Sequence, residues 1–195
     1  MPLAEPARAA VEDLVDHVRA DLTGLVGLPP EGRHKRRTDV RWVRMDGLHL
    51  TLRFLGPTPA DQIATLASVV DATAAESGRF EVAIRGGGAF PTATKPRTLW
   101  LGIEDGQEQM RELAANLSSR LEAVGWPAET RSFRGHLTLG RSDGRLDGRK
   151  TVALLVQRAT AFHTRFEAAR LVLYESITGG GPARYEPVHS ADLEG

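Results

Sequence analysis

Apolar positions along this chain recur with two periods, and the switches between them lay out the elements. Val11, Leu14, Val15, Val18 and Leu22 fall three or four residues apart, the spacing of one helix face, and Pro6 sits where a first helical turn tolerates it. Gly24 to Asp39 reads as a loop, broken by Gly24, Gly27, Pro29, Pro30 and Gly32. Val40 to Arg44 is expected to be a short strand, and Leu48 to Leu55 alternates as a second, closed by Gly56-Pro57. Thr58 is placed to cap a helix with Pro59 at its first position, and Ile63, Leu66, Ala67, Val70 and Ala74 carry its stripe. Phe80 to Arg85 alternates again. Gly86-Gly87-Gly88 lacks the Lys and Ser/Thr of a phosphate-binding loop and reads as a turn. Thr98 to Ile103 is a further strand, and Asp105 is placed to cap a helix whose face is Met110, Leu113, Leu117, Leu121 and Val124, with Gly125 to end it. Then come a strand from about Phe133 to Gly140, a loop from Ser142 to Gly148, and a helix from Thr151 to Arg158. Two closing strands, Ala169 to Glu175 and Arg184 to His189, join across Gly179-Gly180-Gly181-Pro182. Hairpins mixed with helices in this way predict an α+β fold with antiparallel sheets. The order strand–strand–helix–strand–strand, then helix–strand, hints at an internal duplication.

Two of the strands carry the same tetrapeptide, His49-Leu50-Thr51-Leu52 and His136-Leu137-Thr138-Leu139. At average composition an H-x-T triplet arises at roughly one position in a thousand, so two copies that also share both leucines are hard to assign to chance. Alternate residues of a strand face opposite ways. The leucines therefore point into a core, while His49 and Thr51, with Arg53 continuing their face, stand outward together, as do His136 and Thr138. Two such strands facing each other would make a symmetric site with two imidazoles and two hydroxyls.

Composition narrows the chemistry. With 25 Lys and Arg against 25 Asp and Glu there is no global field to draw a polyanion. Arginine outnumbers lysine, however, and its planar fork suits phosphate oxygens. The one basic cluster, Arg33, His34, Lys35, Arg36 and Arg37, lies in the first loop; it is either a solvated loop or a contact surface for a nucleic-acid backbone. Absence of cysteine removes thiolate and disulfide chemistry. No apolar h-region opens the chain and no apolar run approaches the ~18 residues of a membrane span, so a cytoplasmic protein is expected. His17, His34, His163 and His189 lack motif context. Two paired histidines with no carboxylate on their face are too few ligands for zinc, so neither metal nor cofactor is expected, and no G-x-S-x-G elbow supports a serine hydrolase. Paired acid–base chemistry remains: one neutral imidazole can take a proton from water while one imidazolium protonates a leaving oxygen. Threonines and arginines suit the charge on phosphate oxygens, and the substrate implied is a phosphodiester.

At these residues the sequence resembles the two-histidine phosphoesterase superfamily, whose signature is a pair of H-x-[ST]-x motifs. More narrowly it is similar to the RNA 2′,3′-cyclic phosphodiesterases, or 2′-5′ RNA ligase-like proteins. The matching stretches are residues 40–43, 49–56, 88–91, 99–102, 133–141 and 171–176, in family order over about Pro6 to Leu193. The resemblance implies one domain over residues 1–195, built of two pseudo-symmetric lobes with an antiparallel sheet in each, helices outside and the site in the cleft. It also implies that His49 donates a proton to the leaving 3′-oxygen and His136 activates water, giving a 2′-phosphate and a free 3′-hydroxyl, with weak reverse ligation. Thr51, Thr138 and Arg141 match phosphate-holding positions, and Arg53 is a further substrate-binding candidate. The partner implied is RNA with a 2′,3′-cyclic phosphate end, tRNA fragments among them, acted on by a monomer. Two other readings stay open: a two-histidine enzyme for a small cyclic nucleotide or ADP-ribose cyclic phosphate, and a non-catalytic binder of RNA ends.

Two points depart from the family pattern, at Gly135 and at the N-terminus, and the placement of Arg141 needs a device of its own. Gly135 stands where proline usually precedes the second histidine. Arg141 falls on the leucine face unless a bulge turns it toward the cleft. Met1 to Pro6 looks like the turn that follows a first strand, with the strand itself cut away. Pro2 cannot donate to a ladder, so the receiving sheet edge is expected to stand open and the natural start to lie upstream.

Overall fold

The computed structural model describes residues 1–26, 40–142, 146–179 and 181–194. Among these residues four α-helices and seven strands follow in the order α1 (Ala7–Val26), β1 (Val40–Trp42), α2 (Ile63–Ala75), β2 (Phe80–Thr92), β3 (Lys95–Asp105), α3 (Gln107–Ala123), β4 (His136–Ser142), α4 (Leu146–Ala159), β5 (His163–Ala168), β6 (Arg170–Ile177) and β7 (Arg184–Asp192). Every strand pairing is antiparallel: one five-stranded sheet in the order β1-β4-β3-β2-β5 and a two-stranded sheet β6-β7. The expected α+β class with antiparallel sheets is the one found.

The period-3.6 stripe of α1 does what its spacing promises: Ala7, Val11, Leu14, Val15, Val18 and Leu22 are all buried. Helix α1 lies beside α4, held by a bidentate Arg158–Asp21 pair at 2.6 and 2.9 Å. Both helices pack against the five-stranded sheet, which offers them Leu99, Leu101, Leu137 and Leu139, each fully buried. The opposite face of that sheet carries the polar partners of the alternation. Helix α2 covers β6 and β7, and its Leu66 and Val69 join Leu121 of α3 in a smaller core.

Several expectations need correction. Gly86 to Gly88 do not turn the chain; they lie inside β2, which runs on to Thr92 and pairs with β3 as a long hairpin. Gly86, at φ +67°, sits at a shift of register between Arg85 and Gly87, a bulge that a left-handed glycine makes without strain. Gly88 faces Trp100 across the hairpin, and a β-carbon there would fall 2.6 Å from the indole. The run is thus a seat for packing. Strand β5 was not anticipated, although Thr164, Phe166 and Ala168 alternate with Arg165 and Glu167 in sequence and in burial. Thr58 does not cap α2; a 3-10 turn over Ala60–Gln62 precedes that helix, and the Thr58 hydroxyl donates to Gly56 O. Gly106 rather than Asp105 caps α3, while Asp105 ends β3 and pairs with Arg165. The second motif strand begins at His136, later than Phe133. The basic cluster at 33–37 lies outside the described residues.

The edge expected to stand open is covered. Met1–Leu3 runs antiparallel to Leu48–Leu50: the Met1 amino group donates to Leu50 O at 2.9 Å, Leu50 N to Met1 O at 2.8 Å and Leu3 N to Leu48 O at 3.2 Å. Met1 and Leu3 are buried. In an antiparallel ladder only alternate residues bond a given neighbour, so the missing N–H of Pro2 falls on the other side and costs this pairing nothing. Burial of the Met1 amino group lowers its pKa to about 5. Among the described residues no helix is long and apolar enough to cross a membrane.

Candidate active site

The two motifs meet edge to edge. Leu50 and Leu137 form an antiparallel bridge and both are fully buried. On one side of that bridge the chains bring His49 level with Thr138, and on the other Thr51 level with His136. The first motif segment keeps the expected alternation as far as Thr51, with Leu48 and Leu50 buried and His49 and Thr51 half-buried, whereas Leu52, expected in the core, is only partly buried and lines the neighbouring cavity. It makes isolated bridges, to Pro2 and to Leu137, rather than a regular strand over Leu48 to Leu55. It is tied down from its far end instead. Trp126 Nε1 donates to Leu55 O at 3.3 Å, and Arg53 donates from Nη2 to Pro127 O.

Each imidazole is held in the same way. His49 Nδ1 lies 2.8 Å from Gly47 O, and His136 Nδ1 lies 2.8 Å from Arg134 O. A carbonyl oxygen only accepts, so Nδ1 carries the hydrogen and Nε2 is the free ring nitrogen of the neutral form. The duplication therefore extends beyond the side chains to a shared contact with the carbonyl two residues upstream.

The surroundings of the two rings differ. His49 meets Tyr185 edge-on at 4.5 Å between ring centroids and Tyr174 at 5.2 Å, both from the two-stranded sheet. Burial among these groups lowers the His49 pKa below the ordinary 6.5; the Gly47 carbonyl opposes this, and the charge of the Met1 amino group adds to it. Burial also raises the Tyr174 phenol. His136 meets Phe90 edge-on at 5.1 Å, and the Arg134 guanidinium lies 5.1 Å above both Phe90 and Trp100. Such ring contacts are each worth about 0.5–1.5 kcal/mol. Sequence reasoning passed over Tyr174, Tyr185, Phe90 and Trp100 as site residues because they come from strands remote in the chain, and Arg134 because it precedes the motif strand. The signal available for Tyr174, Phe90, Trp100 and Arg134 was their presence in the stretches on which the family resemblance rests; Tyr185 lies outside them.

Arg141 reaches the cleft by the device its position requires. Trp100 pairs with Thr138 and Leu99 with Gly140, which leaves Leu139 as an extra residue on β4. That bulge reverses the parity, and Arg141 lines the same cavity as His136 and Thr138. Gly135 has a local reason too: a β-carbon there would lie 2.5 Å from Gln107 Oε1, so the space a larger residue would fill is taken by a side chain of α3.

Thr51, Arg53, His136, Thr138 and Arg141 thus line one cavity of about 720 Å³, walled on its far side by α3 and by residues 129–134. His49 does not line it; its ring stands at the other end of the motif pair, against the two tyrosines. The Arg53 side chain is 7% exposed, with Nη1 3.2 Å from Glu129 Oε2. Glu129 in turn accepts from the backbone N and Nε of Arg131 at 3.2 and 3.3 Å. Among the described residues, no group of three or more His, Cys, Asp or Glu comes together as a metal site would need.

The fold that carries this site is shared with solved structures. A Thermus thermophilus protein superposes with a TM-score of 0.69 at 23% identity, over 98% of this chain and 93% of its own. Escherichia coli LigT complexed with 3′-AMP superposes with a TM-score of 0.67 at 24% identity, over 95% and 92%. The chain belongs to the 2′-5′ RNA ligase superfamily, which it matches over residues 6–180. It is 30% identical over 148 residues to the RNA 2′,3′-cyclic phosphodiesterase of Aeropyrum pernix, covering 73% of this chain and 81% of that one. To the enzyme of the same name from Geobacillus stearothermophilus it is 30% identical over 155 residues, 79% of this chain but 48% of the relative, so the chain spans about half of that protein's length.

Proposed function

We propose that this protein hydrolyses RNA 2′,3′-cyclic phosphate ends to 2′-phosphate ends by acid–base catalysis between its two motif histidines. The observation that carries the reading is the pair of Nε2 atoms left free by matching Nδ1 contacts on two adjacent H-x-T segments. The names of the relatives at 30% identity support the same activity. Neutral His136 takes a proton from water through Nε2, and the water oxygen bonds to phosphorus. The bond from phosphorus to the 3′-oxygen breaks, and protonated His49 gives its Nε2 proton to that oxygen. Thr51, Thr138 and Arg141 bind the non-bridging oxygens, and Arg53 adds positive charge behind Thr51. Burial holds His49 low in the free protein, so the acid role depends on the anionic phosphate raising its pKa on binding. The same chemistry run backwards joins a cyclic end to a 5′-hydroxyl. The reading extends to RNA ends such as those of tRNA fragments, met in the cytoplasm by a monomer.

The test is to incubate the protein, in EDTA, with an oligoribonucleotide ending in a 2′,3′-cyclic phosphate and to locate the phosphate in the product by phosphorus NMR. A 2′-monophosphate with a free 3′-hydroxyl is expected. A 3′-phosphate, or an intact ring at high enzyme, contradicts the reading.

A further inference from the structure

The cavity is larger than a cyclic phosphate needs, and His136 with Thr51 and Thr138 takes up only one end of it. Its lining is cationic: Arg53, Arg111, Arg131, Arg134 and Arg141 stand against Glu122 and Glu129. Two features there point beyond the reacting phosphate. Arg53 is more than nine-tenths buried at the cavity; its Nη1 faces Glu129 and its Nη2 donates to Pro127 O, but its Nε has no hydrogen-bond partner. A buried donor of a charged group is costly to leave unmet, and a phosphate oxygen would meet it. Phe54, the next residue, lines the same cavity with 62% of its surface exposed, the most exposed of the large apolar residues among those described. It packs in neither hydrophobic core.

We infer that the cavity beyond His136 is a second nucleotide subsite, in which an internucleotide phosphate of the RNA strand lies against Arg131 and Arg53 Nε and a base stacks on Phe54. The assignment rests on the phosphodiesterase reading for its direction: the terminal ring sits over the motifs, and the strand leaves toward α3. Arginine forks match phosphate geometry. An exposed ring accepts any base on its π face, so the subsite lengthens the substrate without selecting its sequence. Glu129 contacts both arginines and so fixes their spacing. Its carboxyl is held below the usual range by the Arg131 backbone N–H and guanidinium, with Arg53 beyond. The substrate class is thus an oligonucleotide end rather than a mononucleotide.

The experiment compares adenosine 2′-monophosphate with the dinucleotide adenylyl-adenosine bearing a terminal 2′-phosphate, by calorimetry, and the matching 2′,3′-cyclic phosphates by kcat/KM. Wild-type protein prefers the dinucleotide in both. Phe54→Ala shrinks that preference by about 5- to 150-fold, the range of base-on-aromatic stacking. Arg131→Gln shrinks it as well, by a factor that falls as salt rises. No binding preference for the dinucleotide, or variants that weaken both ligands equally, overturns the subsite. A binding preference that Phe54→Ala removes, in a protein that turns over neither cyclic phosphate, upholds the subsite and overturns the phosphodiesterase reading instead.

Discussion

His49 and His136 have the same carbonyl contact and different neighbours, and that difference is measurable. His49 is walled by Tyr174 and Tyr185, and burial lowers its pKa below 6.5. A bound phosphate brings negative charge against it and raises that value. Following the His49 ring proton by NMR should give a pKa under 6.5 in the free protein and a higher one with adenosine 2′-monophosphate bound. A value that falls on binding would exclude His49 as the acid. Gly88 is the other residue where one atom decides. Alanine there would thrust a β-carbon to 2.6 Å from Trp100, and the indole has little room because Phe90 and Arg134 pack against it. Overpacking of this kind costs about 1–3 kcal/mol. At roughly 2–4 °C per kcal/mol for a chain of this size, Gly88→Ala should lower Tm by several degrees. An unchanged Tm would mean that the Gly88–Trp100 approach is not tight.

At the scale of elements, the hydrophobic pattern located all four helices, because a stripe such as Val11 to Leu22 is a local property of the chain. The strands were legible only where they alternate cleanly. Strand β2 was cut short at Arg85, since three glycines read as a turn unless one knows that Trp100 lies across from Gly88. Strand β5 carries charged residues on its open face and was missed despite its alternation. The site was legible in part. The duplicated tetrapeptide named both histidines and both threonines, and the parity of β4 foretold that Arg141 needs a bulge, which the extra residue Leu139 supplies. Residues 53–55 were not foreseen to be anchored by residues 126–129, because that contact is made by Arg53 and Trp126 across 71 or more residues of chain. This anchoring gives an element-level expectation. Glu129→Gln removes the charge shared by Arg53 and Arg131 and leaves the buried Arg53 guanidinium without its carboxylate. Urea unfolding should therefore show a lower midpoint, and an unchanged midpoint would leave the Arg53–Glu129 contact without energetic weight.

For the whole molecule, one proton must be shared between two imidazoles on adjoining chain segments, so kcat/KM should follow a bell in pH. The limb that His49 sets should lie below pH 6.5 in the free protein, because burial lowers its pKa. The same depressed pKa makes the folded state bind fewer protons than the unfolded one. Its contribution to stability is therefore intact above 6.5 and is lost as pH falls through the folded value. EDTA should leave the rate unchanged. The central claim is that the two H-x-T segments form a single acid–base unit, and the most direct measurement is kcat/KM for His49→Ala, His136→Ala and the double variant on one cyclic-phosphate-ended oligonucleotide. Each single variant should lose about 10²–10⁴-fold, the worth of a positioned acid or base, and the double variant should lose far less than the product of the two. Near-normal turnover by either single variant, or losses that simply multiply, would contradict it.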